Sequence, residues 1–256
     1  MTLERSAKPR PRLESAPGLA VWREAFVGLD WVSLRTSAVY YGFGVPRGHG
    51  SPVIVVPGFM GSDRYLMELY YWLARVGYKP YYSGIGRNAE CPDLLMQRLL
   101  KTVDRAYAET EEKVRLIGHS LGGTIVRAVA ARRPRRVAQV ITLGSPIHFA
   151  RVHPTVLAAA ELVRGNIRRS NGRARSPDCY TDVCTCSFVS TVGETPPPSV
   201  ARASIYTKSD GVVDWRCCLD EDQDANIEVK GTHCGLAFNP QVYRTIARLL
   251  DGLRPS

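Results

Sequence analysis

The sequence lacks the long apolar segments that would anchor the chain in a membrane or direct it across one. No run of about 20 apolar residues, the length that spans a bilayer, occurs in the 256 residues. The N-terminal region also lacks the apolar stretch of about 7–15 residues that a secretory signal contains. These two absences favour a cytoplasmic localisation.

Cysteines are present, but their spacing is not that of a metal site. Seven cysteines, an odd number, leave at least one thiol unpaired within a monomer. Their spacing matches zinc ligands poorly, so we expect no metal, and no other feature indicates a cofactor. One or two disulfides between the later cysteines are an open alternative, and they would indicate an oxidising compartment instead. Six cysteines lie in the last third of the chain: Cys179, Cys184, Cys186, Cys217, Cys218 and Cys234.

Acidic residues are fewer than basic ones, and the formal net charge is +10. The main basic cluster, residues 132–136, follows a helical pattern, and its cations offset the negative end of a helix. It is not interleaved with aromatic residues and matches no nucleic-acid-binding motif. We therefore expect no nucleic-acid partner. General solubility and transient contact with anionic lipid surfaces are the more natural consequences of the charge.

Apolar runs of strand length alternate with helical patterns along most of the chain. One helical pattern places Leu95, Leu99 and Val103 on a single face and has Pro92 at its start. Such alternation predicts an α/β fold with a mainly parallel sheet and helices on both faces. The strand-like runs are 53–57, 78–83, 114–118, 137–143, 202–207 and 226–230.

The N-terminal 41 residues fall outside this alternation. Residues 1–18 are basic and contain proline, which predicts a mobile tail before a single domain over 19–256. Residues 19–41 have an amphipathic pattern, for which we expect a helix packed on the core; contact with a lipid surface is the alternative. The large apolar residues of this pattern are Trp22, Phe26, Leu29 and Trp31.

The stretch Gly118-His119-Ser120-Leu121-Gly122 lies between a strand-like run and a helical run. A serine at such a turn is held in a strained, exposed position above the end of the sheet, and the flanking glycines leave room for the turn. Gly-x-Ser-x-Gly alone is a weak signal. Its strand-to-helix context makes Ser120 the predicted nucleophile.

An acid and a histidine follow Ser120 in the chain order that this arrangement requires. Asp210 ends a strand-like run and precedes a glycine; Asp214, four residues later, is the weaker alternative. His233 lies on a glycine-bounded loop behind the last strand-like run, whereas the other histidines lack this setting. We expect His233 to take the proton of Ser120 and Asp210 to orient the imidazole. His49, His119, His148 and His153 are the histidines we do not select.

A glycine-rich loop, residues 58–62, follows the first strand-like run of the domain. Such a loop can direct a backbone N–H at the oxyanion of a tetrahedral intermediate. Phe59 is the predicted loop donor because it follows Gly58, and Leu121, the residue after the nucleophile, is the second donor. Met60 is a candidate substrate contact.

These motifs together resemble the α/β-hydrolase superfamily and, within it, the bacterial serine lipases and esterases. The resemblance covers about residues 50–250. Many such lipases have His-Gly before the oxyanion residue, whereas Pro57-Gly58 stands here. The resemblance implies the α/β-hydrolase fold and hydrolysis of acyl or lipid-like esters, but not one particular lipase family. It rests on Pro57-Gly58-Phe59-Met60-Gly61, Gly118-His119-Ser120-Leu121-Gly122-Gly123, Asp210 and Gly231-Thr232-His233.

Residues 148–200 form an insertion between the fourth strand-like run and the run that carries Asp210. In this topology an insertion there lies over the nucleophile, which predicts a cap or lid. It contains an apolar helical pattern over 156–163, and Leu157 is a candidate contact for an acyl chain.

The sequence therefore predicts a serine ester hydrolase that works through an acyl-enzyme on a small-molecule or lipid-like ester. An acyltransferase with the same acyl-enzyme and an alcohol acceptor is the alternative. A non-catalytic binding protein is the third hypothesis, and an intact Ser120, Asp210 and His233 set argues against it. The identity of the ester and the oligomeric state are not indicated.

Overall fold

The computed structural model describes residues 13–147, 150–169 and 186–252. Its centre is a six-stranded sheet in which every pairing is parallel, in the order β3-β2-β4-β5-β7-β8. All six predicted strands are present, which confirms the predicted sheet. They are β2 (Pro52–Val56), β3 (Lys79–Tyr82), β4 (Val114–His119), β5 (Val137–Leu143), β7 (Ala201–Tyr206) and β8 (Asn226–Glu228).

Alternate side chains of each central strand enter separate apolar clusters on the two faces of the sheet. Val53 and Val55 of β2 belong to one cluster, while Ile54 and Val56 belong to the other. A strand buried on both faces is apolar at every position, which is why these runs could be identified from sequence. The α-helices of the described residues are α1 (Val27–Thr36), α2 (Met67–Arg75), α3 (Pro92–Thr110), α4 (Leu121–Arg132), α5 (Pro154–Arg169), α6 (Ser187–Val192) and α7 (Pro240–Leu250).

A small second sheet was not predicted. β1 (Leu13–Ser15) pairs in parallel with β6 (Ala150–Val152), and each strand has three residues. The predicted tail extended to residue 18, so its last part differs from the prediction, whereas residues 1–12 lie outside the described residues. Three-residue strands are too short to show the alternation by which strands are recognised.

The N-terminal amphipathic segment does not pack as predicted. It forms a 3₁₀ helix, Val21–Phe26, followed by α1, and only Leu34 of α1 is buried. Trp22, Phe26 and Leu29 are 64%, 50% and 67% exposed. The prediction that these side chains cover the core is therefore wrong. The segment is held by polar contacts instead, which apolar periodicity does not show.

The predicted cap divides into two parts. α5 follows β6 directly, whereas α6 packs on the body of the domain: Phe188 and Val192 belong to the apolar cluster shared by α3 and α4. The Phe188 amide also donates to the Asp93 carboxylate at the start of α3, over 3.0 Å. The region around α6 thus belongs to the domain core rather than to a cap. Residues 170–185 of the predicted cap lie outside the described residues.

Two other sequence features can be placed. Cys217, Cys218 and Cys234 are free thiols, so no disulfide joins them to the insertion. In the three stretches that the structure describes, every helix is too short or too polar to cross a membrane.

Candidate active site

Ser120 occupies the sharp turn between β4 and α4. Its φ of 52° and ψ of −128° lie in a region that residues with a side chain rarely adopt. The turn also brings the start of α4 against the end of β2, where a Cβ on Gly122 would collide with the carbonyl oxygens of Val56 and Pro57. The strained serine and the close-packed glycine are the arrangement expected of a nucleophile turn.

The loop after β2 lies directly against this turn. A Cβ on Gly58 would stand 2.9 Å from the Cβ of Ser120 and 2.9 Å from Nδ1 of His119. Met60 has a φ of 63° and its side chain is exposed. The backbone N–H of Phe59, between these two residues, therefore belongs to a segment in contact with Ser120.

Asn88 holds this loop, and the sequence analysis did not identify it. Its side-chain amide donates to the Pro57 carbonyl over 2.8 Å. The backbone carbonyl of Asn88 accepts from the Met60 amide, and the backbone amide of Asn88 donates to the Gly61 carbonyl, both over 2.8 Å. Asn88 is fully buried. These three bonds brace the loop that follows Pro57.

Asp210 and His233 meet at the ends of the adjacent strands β7 and β8. Nδ1–H of His233 donates to Oδ2 of Asp210 over 2.7 Å. The other carboxylate oxygen accepts from the amides of Val212 and Val213, over 2.8 and 2.7 Å. The acid is thus fixed by its own loop, and it orients the imidazole as a triad requires.

The pair lies next to the Ser120 turn. The Ser120 amide donates to the Leu143 carbonyl of β5 over 2.9 Å. The following residue, Gly144, has a φ of 56°, and a Cβ there would stand 3.1 Å from Nδ1 of His233 and 3.3 Å from Oδ2 of Asp210. The three predicted catalytic residues therefore converge on the end of β5.

The environment of His233 favours its charged form. Burial alone would lower the pKa of this imidazole, but the charge and hydrogen bond of Asp210, with the charge of Glu24, raise it above its ordinary value. A base of raised pKa accepts the proton of a serine hydroxyl more readily and stabilises the resulting imidazolium.

Asp214, the alternative acid, has a different task. Its Oδ1 accepts from the Arg216 amide over 3.1 Å and caps the 3₁₀ helix Trp215–Cys218. Its Oδ2 forms an ion pair with Arg151 of β6 over 3.2 Å. Asp214 thus fixes the chain after the loop that carries Asp210, which we call the acid loop, whereas Asp210 contacts the imidazole.

The other histidines are placed as supports or on the surface. His119 is buried; its Nε2–H donates to the His233 carbonyl over 3.0 Å. Burial lowers the pKa of His119 to about 3, with a further contribution from His233, so its imidazole is neutral. His153 contacts the Thr155 hydroxyl over 2.9 Å, and His49 is exposed. His148 lies outside the described residues.

A second residue that the sequence analysis missed is Glu24, on the N-terminal 3₁₀ helix. Its carboxylate accepts from the amides of Gly211, His233 and Cys234, over 3.0, 3.1 and 2.8 Å. It therefore contacts the loop of the acid and the loop of the histidine together. No local motif marks this residue.

Of the candidate substrate contacts, Met60 lies on the loop beside Ser120. Leu157 of α5 is partly buried and packs against the cluster of Val152, Val213, Cys217 and Cys218, next to the acid loop. Among the residues described, no three His, Cys, Asp or Glu side chains are grouped so that they could hold a metal ion.

Comparison with known proteins agrees with this architecture. The model of a family described as alpha/beta hydrolase fold matches residues 83–176. A triacylglycerol lipase of Pseudarthrobacter phenanthrenivorans is 38% identical over 104 residues, which are 37% of this chain and 33% of the relative. A triacylglycerol lipase of Burkholderia plantarii is also 38% identical over 104 residues, 37% of this chain and 29% of that protein. The matched region thus spans about a third of these relatives.

Solved structures extend the likeness to most of the chain. A structure from a study of two metagenome-derived lipolytic enzymes superposes with a TM-score of 0.55, covering 81% of this chain and 96% of that one. The two sequences are 17% identical, so this likeness concerns the fold alone.

Proposed function

We propose that this chain, which has the α/β-hydrolase fold, is a serine hydrolase of carboxylic esters with Ser120 as nucleophile. The observation that carries the proposal is the 2.7 Å hydrogen bond between His233 and Asp210, next to the strained Ser120 turn. The similarity to triacylglycerol lipases supports a lipid-like ester as the substrate class.

In the proposed reaction, His233 removes the proton of the Ser120 hydroxyl as the oxygen attacks the ester carbonyl. Asp210 keeps the imidazole in the required tautomer and stabilises the imidazolium that forms. The carbonyl oxygen becomes an oxyanion, and the amides of Phe59 and Leu121 donate to it. The protonated His233 then returns its proton to the leaving alcohol, which gives an acyl-Ser120 intermediate.

Water releases the acyl group in the second half of the reaction. His233 takes a proton from the attacking water, the acyl–Ser120 bond breaks, and the proton returns to the Ser120 oxygen. A carboxylic acid leaves and the enzyme regains its starting state.

For the cap, we propose a smaller element than residues 148–200, namely α5. β6, which leads into α5, is tied to the acid loop: the His153 amide donates to the Val212 carbonyl and the Asp214 amide to the Arg151 carbonyl, each over 2.8 Å. Leu157 packs on this junction. An acyl chain beside the acid loop would then contact α5.

The decisive experiment is a rate comparison on p-nitrophenyl esters from C2 to C16, together with labelling by a fluorophosphonate. Wild-type protein should hydrolyse the esters and take up one label on Ser120. Ser120→Ala should lose on the order of 10⁶ in kcat, as removal of a serine nucleophile does elsewhere. Turnover that persists in Ser120→Ala, or a label on another residue, would disprove the mechanism.

The same ester series tests the cap. Leu157→Asp should impair C12 hydrolysis more than C2 hydrolysis, because an apolar contact is lost and a carboxylate must be desolvated. Equal losses on both esters would mark Leu157 as structural support.

A further inference from the structure

The two loops that carry Asp210 and His233 leave the sheet from neighbouring strands. β7 and β8 are paired up to Tyr206 and Glu228, and the Val229 amide still donates to the Tyr206 carbonyl over 2.9 Å. Beyond that point the sheet no longer fixes the distance between the loops. Their relative position therefore depends on contacts outside the ladder.

The carboxylate of Glu24 supplies such a contact to both loops. Its Oε1 accepts from the Gly211 amide, next to the acid, and from the amide of His233 itself, over 3.0 and 3.1 Å. Its Oε2 accepts from the Cys234 amide over 2.8 Å. Backbone amides that bind an ionised carboxylate form stronger bonds than neutral pairs do.

We infer that Glu24 is a positioning residue of the proposed triad, because its carboxylate ties the loop of Asp210 to the loop of His233 and so sets the contact between them. This inference deepens the proposed function and rests on it. Glu24 does not touch the reacting atoms; it acts through the backbone of His233 itself and of Gly211, the neighbour of Asp210.

Glu24 belongs to the N-terminal segment, residues 19–41, and other parts of this segment also touch the two loops. A Cβ on Gly211 would stand 2.6 Å from the Ala20 carbonyl oxygen and 2.9 Å from Oε1 of Glu24, so the acid loop touches this segment directly. Further along, the Thr232 hydroxyl donates to Asp30 of α1 over 3.4 Å. The segment thus contacts the two catalytic loops from one side.

The other end of the segment is fixed by Glu68 of α2. This carboxylate accepts from the Trp31 indole over 3.0 Å and pairs with Arg35 over 2.8 Å. Glu68 anchors the same segment without touching either catalytic loop, and it is therefore the matched control for Glu24.

Besides the backbone bonds, Glu24 places a negative charge near His233. The other groups that face this imidazole are Asp210 from the acid loop and neutral His119 from β4, whose ring centroid is 4.9 Å away. Asp30, Tyr65 and Cys234 lie at the histidine loop: Asp30 accepts from the Thr232 hydroxyl over 3.4 Å, and the Tyr65 hydroxyl donates to the Cys234 carbonyl over 2.9 Å. Removal of the Glu24 charge should lower the pKa of His233, since that charge favours the imidazolium.

Cys234 offers a readout that does not depend on catalysis. Burial raises the pKa of its thiol to about 12, and the charge of Glu24 adds to the effect. Without that charge, more of the thiol ionises at a given pH, and the thiolate is the form that reacts with iodoacetamide.

The test compares Glu24→Gln and Glu24→Ala with Glu68→Gln. Glu24→Ala should lose about 10²-fold in kcat, as small misplacements of catalytic groups do, with a smaller change in KM. Glu24→Gln keeps one acceptor oxygen and should lose less. In both variants the acid limb, the fall of kcat/KM at low pH, should move to lower pH. Alkylation of Cys234, measured by peptide mass analysis, should be faster. Glu68→Gln should leave the acid limb and the alkylation rate unchanged.

If Glu24→Gln has the kcat, the acid limb and the Cys234 alkylation rate of the wild-type protein, the inference is overturned. The proposed function would remain intact. An equal loss of kcat in Glu24→Gln and Glu68→Gln with no shift of the acid limb would also overturn it, since the role would then be structural. If the wild-type protein hydrolyses no ester, the proposed function fails, and the alkylation rates alone decide whether Glu24 contacts the histidine loop.

Discussion

The candidate site has two sides that are held by different kinds of contact. On the nucleophile side, the Ser120 turn and the loop at Gly58 are pressed together, and glycines stand where any Cβ would collide. On the acid–base side, the loops of Asp210 and His233 are joined by hydrogen bonds, several of them to one carboxylate, Glu24. Close packing fixes Ser120, whereas a polar side chain from elsewhere in the chain fixes the loops of Asp210 and His233.

This difference bears on how each side responds to change. A close-packed backbone turn has few alternative conformations, because any shift creates overlaps. Loops joined by hydrogen bonds lose their alignment one bond at a time, and a buried group that loses its partner costs roughly 1–3 kcal/mol. Substitutions on the acid–base side should therefore produce graded losses of rate.

The largest of these losses is expected at the acid. Asp210→Asn should reduce kcat by about 10³–10⁴-fold, because an asparagine that still accepts from Val212 and Val213 presents its amide to His233 and favours the wrong tautomer. Steady-state rates on a soluble ester measure this.

Asp214→Asn is the matched control. It weakens the ion pair with Arg151 and the cap of a 3₁₀ helix but leaves the contact with the imidazole intact. Its kcat should stay close to that of the wild-type protein. A larger loss in Asp214→Asn than in Asp210→Asn would reverse the assignment of the acid.

The nucleophile side also has a buried polar support, Asn88, which offers a sharper comparison. Asn88→Ala removes the 2.8 Å bond to the Pro57 carbonyl but keeps the backbone bonds to Met60 and Gly61. The oxyanion donor on Phe59 should shift slightly, and kcat should fall by up to about 10²-fold with little change in KM.

Asn166→Ala on the exposed face of α5 serves as the control and should behave as wild type. If Asn88→Ala retains full kcat, close packing alone positions the loop and the proposed brace is dispensable.

The same contrast explains what the sequence could predict. The glycines around Ser120 and the apolar central strands are local signatures, since the steric requirement and the residue that meets it are neighbours in the chain. Glu24 lies 209 residues before His233, and nothing near it signals the contact. Asn88 likewise acts on a loop 31 residues away. The prediction for Trp22 and Phe26 is wrong for a related reason: their apolar spacing is evident in the sequence, but the polar groups that orient their segment are not.

The smallest effect concerns the two buried histidines, one on each side of the site. The pKa of His233 is raised above its ordinary value, so the acid limb of kcat/KM should lie above pH 6.5, the ordinary value for histidine. Activity falls below that limb because a protonated imidazole cannot accept the serine proton. His119 has a pKa near 3 and stays neutral throughout the range in which the limb is measured. His119→Gln keeps an N–H donor for the His233 carbonyl, so it should lower kcat only modestly and leave the limb in place. If the acid limb moves as far in His119→Gln as in Asp210→Asn, the two sides of the site titrate as one unit. The division into a packed side and a hydrogen-bonded side would then not hold.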